Sequence, residues 1–197
     1  MEAILAVKGD GFVMTLSDTN AARGITVLKK GLDRSRALTS HTLLVYSGEA
    51  SDTTNFAEYI QKNAKLQHII NEFELTPLAC ATFIRNTLAQ SLRSRGGPYD
   101  VSSLVAGYDV KTGKPQLYWL DYLAAMNEVE YGGHGYAAFL CVSILDRFHR
   151  PGMTVAEVEE LLRLCVKELE HRFVINLPEW KIKIVDANGI RDHQMQF

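Results

Sequence analysis

With 197 residues, 47% hydrophobic and 22% charged, the chain has the composition of an ordinary globular protein and is long enough to bury a large core. A formal net charge of -2 gives no electrostatic case for nucleic acid or an anionic membrane, and no apolar run approaches the length of a spanning helix. The three cysteines, Cys80, Cys141 and Cys165, are odd in number and widely spaced among apolar neighbours, so they read as buried small hydrophobes rather than a disulfide frame or a zinc site.

The opening, MEAILAVKGDGFVMTLSD, predicts a strand over 3–8, a turn at Gly9-Asp10-Gly11 and a second strand over 12–16 ending at Ser17-Asp18. A strand over 42–46 leads into a first helix from about Glu49. That helix places Phe56, Tyr59, Ile60 and Ala64 on one face, with Glu58 and Lys62 as a solvent-side pair. Thr76-Pro77, an N-cap followed by proline, starts a second helix that runs to Gly96-Gly97 with Leu78, Ala81, Leu88 and Leu92 at helical spacing. Strands over 103–108 and 116–120 flank a turn at 109–113. A third helix, from about Gly135 to His149, turns Ala138, Cys141, Val142 and Leu145 inward and stops before Pro151. Thr154 and Glu157 form a capping box ahead of a fourth, whose Val158, Leu161, Leu162, Cys165 and Leu169 make a core-facing stripe. Strands over 181–185 and 190–191 close the chain around the Asn188-Gly189 turn.

The order is strands, helix pair, strands, helix pair, strands, which is not the alternation of a doubly wound parallel sheet. AILAV and LLVY are apolar on both faces, as strands covered on each side must be. Two stacked sheets, each backed by a helix pair, satisfy both observations. The expected fold is α+β, a four-layer αββα sandwich, in one domain spanning 1–197.

Several motifs fail on inspection. Gly107 to Lys114 is like a phosphate-binding loop, but five residues separate its glycines and Pro115 stands where a magnesium-binding hydroxyl belongs, so it reads as a hairpin turn. Glu168 and His171 make a Glu-x-x-His step whose only second copy is Asp146 and His149, a poor basis for a metal site. There is no Gly-x-Ser-x-Gly elbow. Tyr131-Gly132-Gly133-His134-Gly135 reads as a tight strand-to-helix connection or, alternatively, an anion cradle. The basic run from Lys29 to Arg36 is broken by Asp33 and reads as a solvated rim or a contact to an acidic partner. No signal peptide pattern marks the start, so synthesis in the cytosol is expected.

The opening hairpin, Ser17-Asp18, the Arg23-Gly24 turn, the run Ser47 to Asp52 entering a helix, and Val105 to Asp109 together resemble a proteasome β subunit. Asn55 to Gln61, Leu92 to Arg95, Tyr122 to Ala125, His134 to Tyr136, Ile144 to Arg147 and Asp186 to Ile190 are similar to the β4 type of the eukaryotic 20S core particle, in order and over nearly the whole chain. The resemblance implies the N-terminal-nucleophile hydrolase fold. Active members of that family expose a threonine by autocleavage; its hydroxyl attacks the peptide carbonyl, a lysine assists the proton transfer, and an aspartate holds that lysine. Carried onto this sequence, the aspartate falls on Asp18, the lysine on Arg34 and the threonine on Glu2. An arginine stays protonated and cannot serve as a base. No Gly-Thr pair offers a site for autocleavage, and Asn176 to Trp180 stands where active subunits carry an aspartate and a Ser-Gly-Gly run.

The resemblance therefore implies a chain with no catalytic residues, no cofactor and no metal, in which Glu2, Asp18 and Arg34 mark a vestigial active site. Asp18 and Arg34 are expected to pair. The implied role is structural, in a β ring that walls the chamber for ubiquitin-dependent protein degradation. Its implied neighbours are the β3 and β5 types, the α ring and the opposite β ring, with cytoplasmic and nuclear residence. The alternative is a self-contained N-terminal-nucleophile hydrolase, which requires a Thr, Ser or Cys at a processed N-terminus.

Overall fold

A computed structural model describes residues 2–23, 26–172 and 179–195. Twelve strands and four helices are described. The first hairpin pairs β1 (Ala3–Lys8) with β2 (Phe12–Asp18), followed by a short ribbon of β3 (Ala21–Arg23) and β4 (Thr26–Lys29). Then come β5 (Ser35–Thr39), β6 (Thr42–Gly48), α1 (Ala50–Asn71), α2 (Pro77–Ser91), β7 (Val101–Asp109), β8 (Lys114–Leu120), β9 (Met126–Glu128) and β10 (Tyr131–Gly135). The chain continues through α3 (Tyr136–Phe148), α4 (Val155–Arg172), β11 (Trp180–Asp186) and β12 (Gly189–His193).

Two antiparallel five-stranded sheets result, in the orders β10-β1-β2-β11-β12 and β5-β6-β7-β8-β9. Alternation along single strands sorts their side chains into layers. In β1, Leu5 and Val7 face α3 and α4, while Ile4 and Ala6 enter the space between the sheets. In β6, Leu44 and Tyr46 face α1 and α2, while Leu43 and Val45 meet the other sheet. The layers are αββα, as the two-sided apolar strands required.

Local signals explain the helix starts. Thr76 Oγ1 accepts from the Ala79 N–H at 3.2 Å with Pro77 in the first turn. Thr154 and Glu157 make the reciprocal capping box, Thr154 N–H donating to Glu157 Oε2 at 2.8 Å and Glu157 N–H to Thr154 Oγ1 at 3.4 Å. The start of α2 lies on β7 so closely that a Cβ at Gly107 would stand 2.5 Å from the Pro77 ring.

The structure differs from expectation in several places. Tyr59 and Leu78 are exposed rather than inward; Tyr59 instead stacks on Phe83, and Cys80 and Ile84 occupy the inner face of α2. Helix α2 ends at Ser91, well before Gly96. In α3 the deepest positions are Ala137, Cys141 and Leu145, so Ala138 and Val142 are only half-buried. Residues 131–135 form a strand along the outer edge of β1. The Arg23-Gly24 turn and the run Asn176 to Trp180 lie partly outside the described residues.

Candidate functional site

The first hairpin ends where β2 delivers Asp18 into a fully buried position opposite Trp180 of β11. Asp18 Oδ1 accepts from the Ala3 N–H at 2.9 Å, and Oδ2 from the Asn20 N–H at 3.2 Å. Arg34 then grips the carboxylate with two guanidinium atoms, Nε to Oδ1 at 3.0 Å and Nη2 to Oδ2 at 3.2 Å. This fork-on-fork geometry suits arginine and not lysine.

The rest of the guanidinium is also engaged. Nη2 donates to the Asn20 carbonyl at 2.5 Å, and Nη1 to Glu2 Oε1 at 2.5 Å. The other Glu2 oxygen accepts from the Gly48 N–H at 2.6 Å. Asp18 and Arg34 expose 0% and 5% of their side chains and Glu2 18%, so the cluster holds one positive against two negative charges, largely out of water. Burial accordingly pushes the Glu2 carboxyl above its ordinary value, with Arg34 and the Gly48 N–H pulling it back and Asp18 adding to the rise.

Backbone bonds hold the parts in place. Leu32 N–H reaches Thr19 O at 2.8 Å and Tyr46 N–H reaches Arg34 O at 3.0 Å, which pins the Arg34 loop between β2 and β6. Tyr136 N–H donates to Glu2 O at 2.9 Å, and Gly135, at φ +68°, lets the start of α3 come this close; a Cβ there would fall 2.1 Å from Glu2 O. Beside Arg34, Lys183 Nζ bonds Asp33 Oδ2 and Ser35 Oγ, each at 2.7 Å. Burial disfavours the Asp33 charge, but hydrogen bonds from Lys183 and Ser35 outweigh it and hold the carboxyl below its usual range.

The cluster floors an open cleft of about 920 Å³ lined by Glu2, Arg34, Tyr46, Ala50, Leu28 and Phe139 among others. Chemically it is a clamp. A guanidinium keeps its proton, both Glu2 oxygens are bonded, and Asp18 is saturated by four donors.

Other flagged residues stand apart. Glu168 pairs with Arg172, while His171 Nδ1 lies 2.7 Å from Lys167 O. Asp146 accepts from the Tyr131 hydroxyl, and His149 Nε2 lies 3.2 Å from Lys8 O. Among the described residues no group of three or more His, Cys, Asp or Glu side chains is placed to hold a metal ion. In the basic run from Lys29 to Arg36, Lys29 and Lys30 are exposed, but Arg34 is buried because its charge is answered from inside. The Gly48 N–H, the Asn20 carbonyl and Lys183 were not foreseen as parts of the site. Two of these are backbone groups, and the third lies 150 residues from Asp33.

The family pattern described as proteasome subunit matches residues 2–185. The chain is 49% identical over 192 residues to the probable proteasome subunit beta type-4 of Schizosaccharomyces pombe, covering 98% of each. It is 47% identical over 191 residues to the proteasome subunit beta type-4 of Saccharomyces cerevisiae, covering 97% of this chain and 96% of the relative. A proteasome subunit beta type-2-A of Arabidopsis thaliana is 40% identical over 193 residues, covering 98% of this chain and 93% of that one. On a family pattern matched over residues 2–185 and identity to its relatives along nearly its whole length, the chain belongs to the proteasome subunit family.

Proposed function

We propose that this chain, as one domain over 1–197, is a non-catalytic structural subunit of the beta type-4 kind in the 20S proteasome core particle. It helps form the β ring and the chamber for ubiquitin-dependent protein degradation, has no enzyme activity by itself, and works beside α and β subunits in the cytoplasm and nucleus. The β3 and β5 types are its ring neighbours, with the α ring on one side and the opposite β ring on the other. The fungal relatives carry the type-4 name.

One observation carries the non-catalytic part of this reading: the Arg34 guanidinium is consumed by Asp18, Glu2 and the Asn20 carbonyl. In this reading Glu2, Asp18 and Arg34 occupy a vestigial active site, where a nucleophile, its orienting acid and its proton-transferring base have become an ion-pair clamp. Large apolar side chains left exposed, such as Ile69, Ile70 and Phe139, fit a chain whose surface is finished by neighbours.

The test is the native mass of a C-terminally tagged chain gently purified from its own cells. Elution in a very large particle with threonine-protease activity is the expected result. Elution as a monomer or small ring with activity of its own would overturn the reading in favour of a self-contained N-terminal-nucleophile hydrolase, and intact mass would then show which residue begins the mature chain.

A further inference from the structure

Glu2 divides its carboxylate between two donors from different parts of the chain. Oε1 accepts from Arg34 Nη1 at 2.5 Å and Oε2 from the Gly48 N–H at 2.6 Å. All three residues line the open cleft of about 920 Å³, and 18% of the Glu2 side chain is in water. The floor of a space large enough for a much bigger ligand is therefore taken by the chain's own carboxylate.

Neither donor needs Glu2 to hold its place. Arg34 is fixed by Asp18 through Nε and Nη2, by the Asn20 carbonyl through Nη2, and by its own carbonyl, which accepts from the Tyr46 N–H at 3.0 Å. Gly48 pairs with Val101 across β6 and β7 at φ +141°, and a Cβ there would fall 2.0 Å from Asp100 O. Of the five guanidinium N–H groups, four have acceptors among the described residues. The fifth belongs to Nη1, the atom that meets Glu2. Nη1 and the Gly48 N–H thus make a seat for the two oxygens of a carboxylate, and β2, β6 and β7 hold it in shape without the occupant.

We propose that Glu2 is a tethered ligand in an anion seat: Arg34 Nη1 and the Gly48 N–H form a carboxylate-binding site at the cleft floor, which Glu2 keeps filled and which takes a free carboxylate once Glu2 is shortened. Tethering gives Glu2 a high effective concentration at the seat, so a free carboxylate, such as the C-terminus of a peptide, does not displace it. The cleft then has apolar walls, Leu28 and Phe139 among them, but no anchor left for an anionic ligand. Without Glu2 the charges of Asp18 and Arg34 balance, so a free anion binds weakly and only at high concentration. The seat does not rest on the proposed function.

Hydrogen exchange at the Gly48 amide tests this, on the full chain in the assembly in which it is purified from its own cells. Sodium formate is the probe, and sodium chloride at equal ionic strength is the control. In the wild-type chain the amide should be protected equally in both salts. In Glu2→Ala its protection should fall about tenfold in chloride, the weight of one charge-assisted hydrogen bond, and recover in formate. The Ala79 amide, bonded by the Thr76 hydroxyl and no part of the cleft, serves as the reference. Undiminished protection in Glu2→Ala overturns the occupancy, and protection that falls without recovering in formate overturns the seat. A gain in formate that is as large in the wild-type chain as in the variant overturns the tethering. Where Glu2→Ala does not assemble, Glu2→Ser takes its place, and an unprotected Gly48 amide in the wild-type chain overturns the proposal without any variant.

Discussion

The same pairing of arginine with carboxylate occurs at two ends of this molecule with opposite weight. On α4, Arg172 reaches Glu168 at 2.9 Å with 68% and 36% of their side chains in water. Beneath the cleft, Arg34 meets Asp18 at 3.0 Å with almost none. Water already solvates the first pair, so joining it gains little. Each charge of the second has lost several kcal/mol (about, per ion) of hydration, which only a complete set of bonds offsets. The set is nearly complete: Asp18 has four donors, and four of the five Arg34 N–H groups have acceptors. Proximity in sequence marks the pair of little consequence, whereas the consequential one joins residues 16 apart.

The sharpest way to break this contrast is Asp18→Ala. It strips Arg34 of its main counter-charge and leaves the Ala3 N–H without an acceptor, so a loss of about 3–5 kcal/mol is expected in denaturant unfolding or as failed assembly. A normal melting temperature and normal incorporation would erase the distinction between the two ends. Arg34→Lys should come next. It keeps the charge but cannot span both Asp18 oxygens and Glu2, and about 1–3 kcal/mol is expected to go. Glu2→Gln should cost less than either. Burial already holds the Glu2 carboxyl above its ordinary value, so removing its charge relieves desolvation while it weakens the bonds to Arg34 and Gly48. Measuring all three in one host would rank the members of the cluster.

Acid should separate two neighbours by sign. Asp33 is more acidic folded than unfolded, so its contribution is full above the ordinary aspartate value and is lost as pH falls through the lowered one. Glu2 is less acidic folded, so the folded chain binds its proton first and the cost of its charge disappears as pH falls through the raised value. In melts across the acid range, Asp33→Asn should flatten the acid-side loss of stability, while Glu2→Gln should steepen it. The smallest effect belongs to Arg172→Ala, within about 0.5 kcal/mol by the same unfolding measurement. A larger loss there would show that α4 is anchored by more than its buried stripe.

Elements with strong local chemistry were legible in the sequence. The capping box, the Thr76-Pro77 start and the Asn188-Gly189 turn each depend on residues a few positions apart, and the structure places all three as expected. Strand β5 was missed because Ser35–Thr39 is short, holds an arginine and joins β6 through Ser40-His41 without a glycine or proline. Strand β9 has only three residues, and β10 is so rich in glycine that its propensity points away from a strand. It forms because β1 supplies the partner: Gly133 has room for no Cβ, which would fall 2.6 Å from Leu5. The Asp18–Arg34 pair was reached by resemblance, and the fork geometry then follows from the side chains. Its completion by Asn20 and Gly48 could not be read, because every residue has a carbonyl and nearly every one an N–H.

The three free thiols divide between the outer layers. Cys80 sits on the inner face of α2, and Cys141 and Cys165 sit on the inner faces of α3 and α4, all of them buried. Burial and, less strongly, Glu74 push the Cys80 thiol up to about 12, and the Cys141 hydrogen bond followed by burial raises Cys165, so neither reacts as it stands. An alkylating reagent therefore has to wait for a helix layer to lift. The chain carries two built-in clocks, and the order in which its cysteines become modified would time the opening of one side of the sandwich against the other.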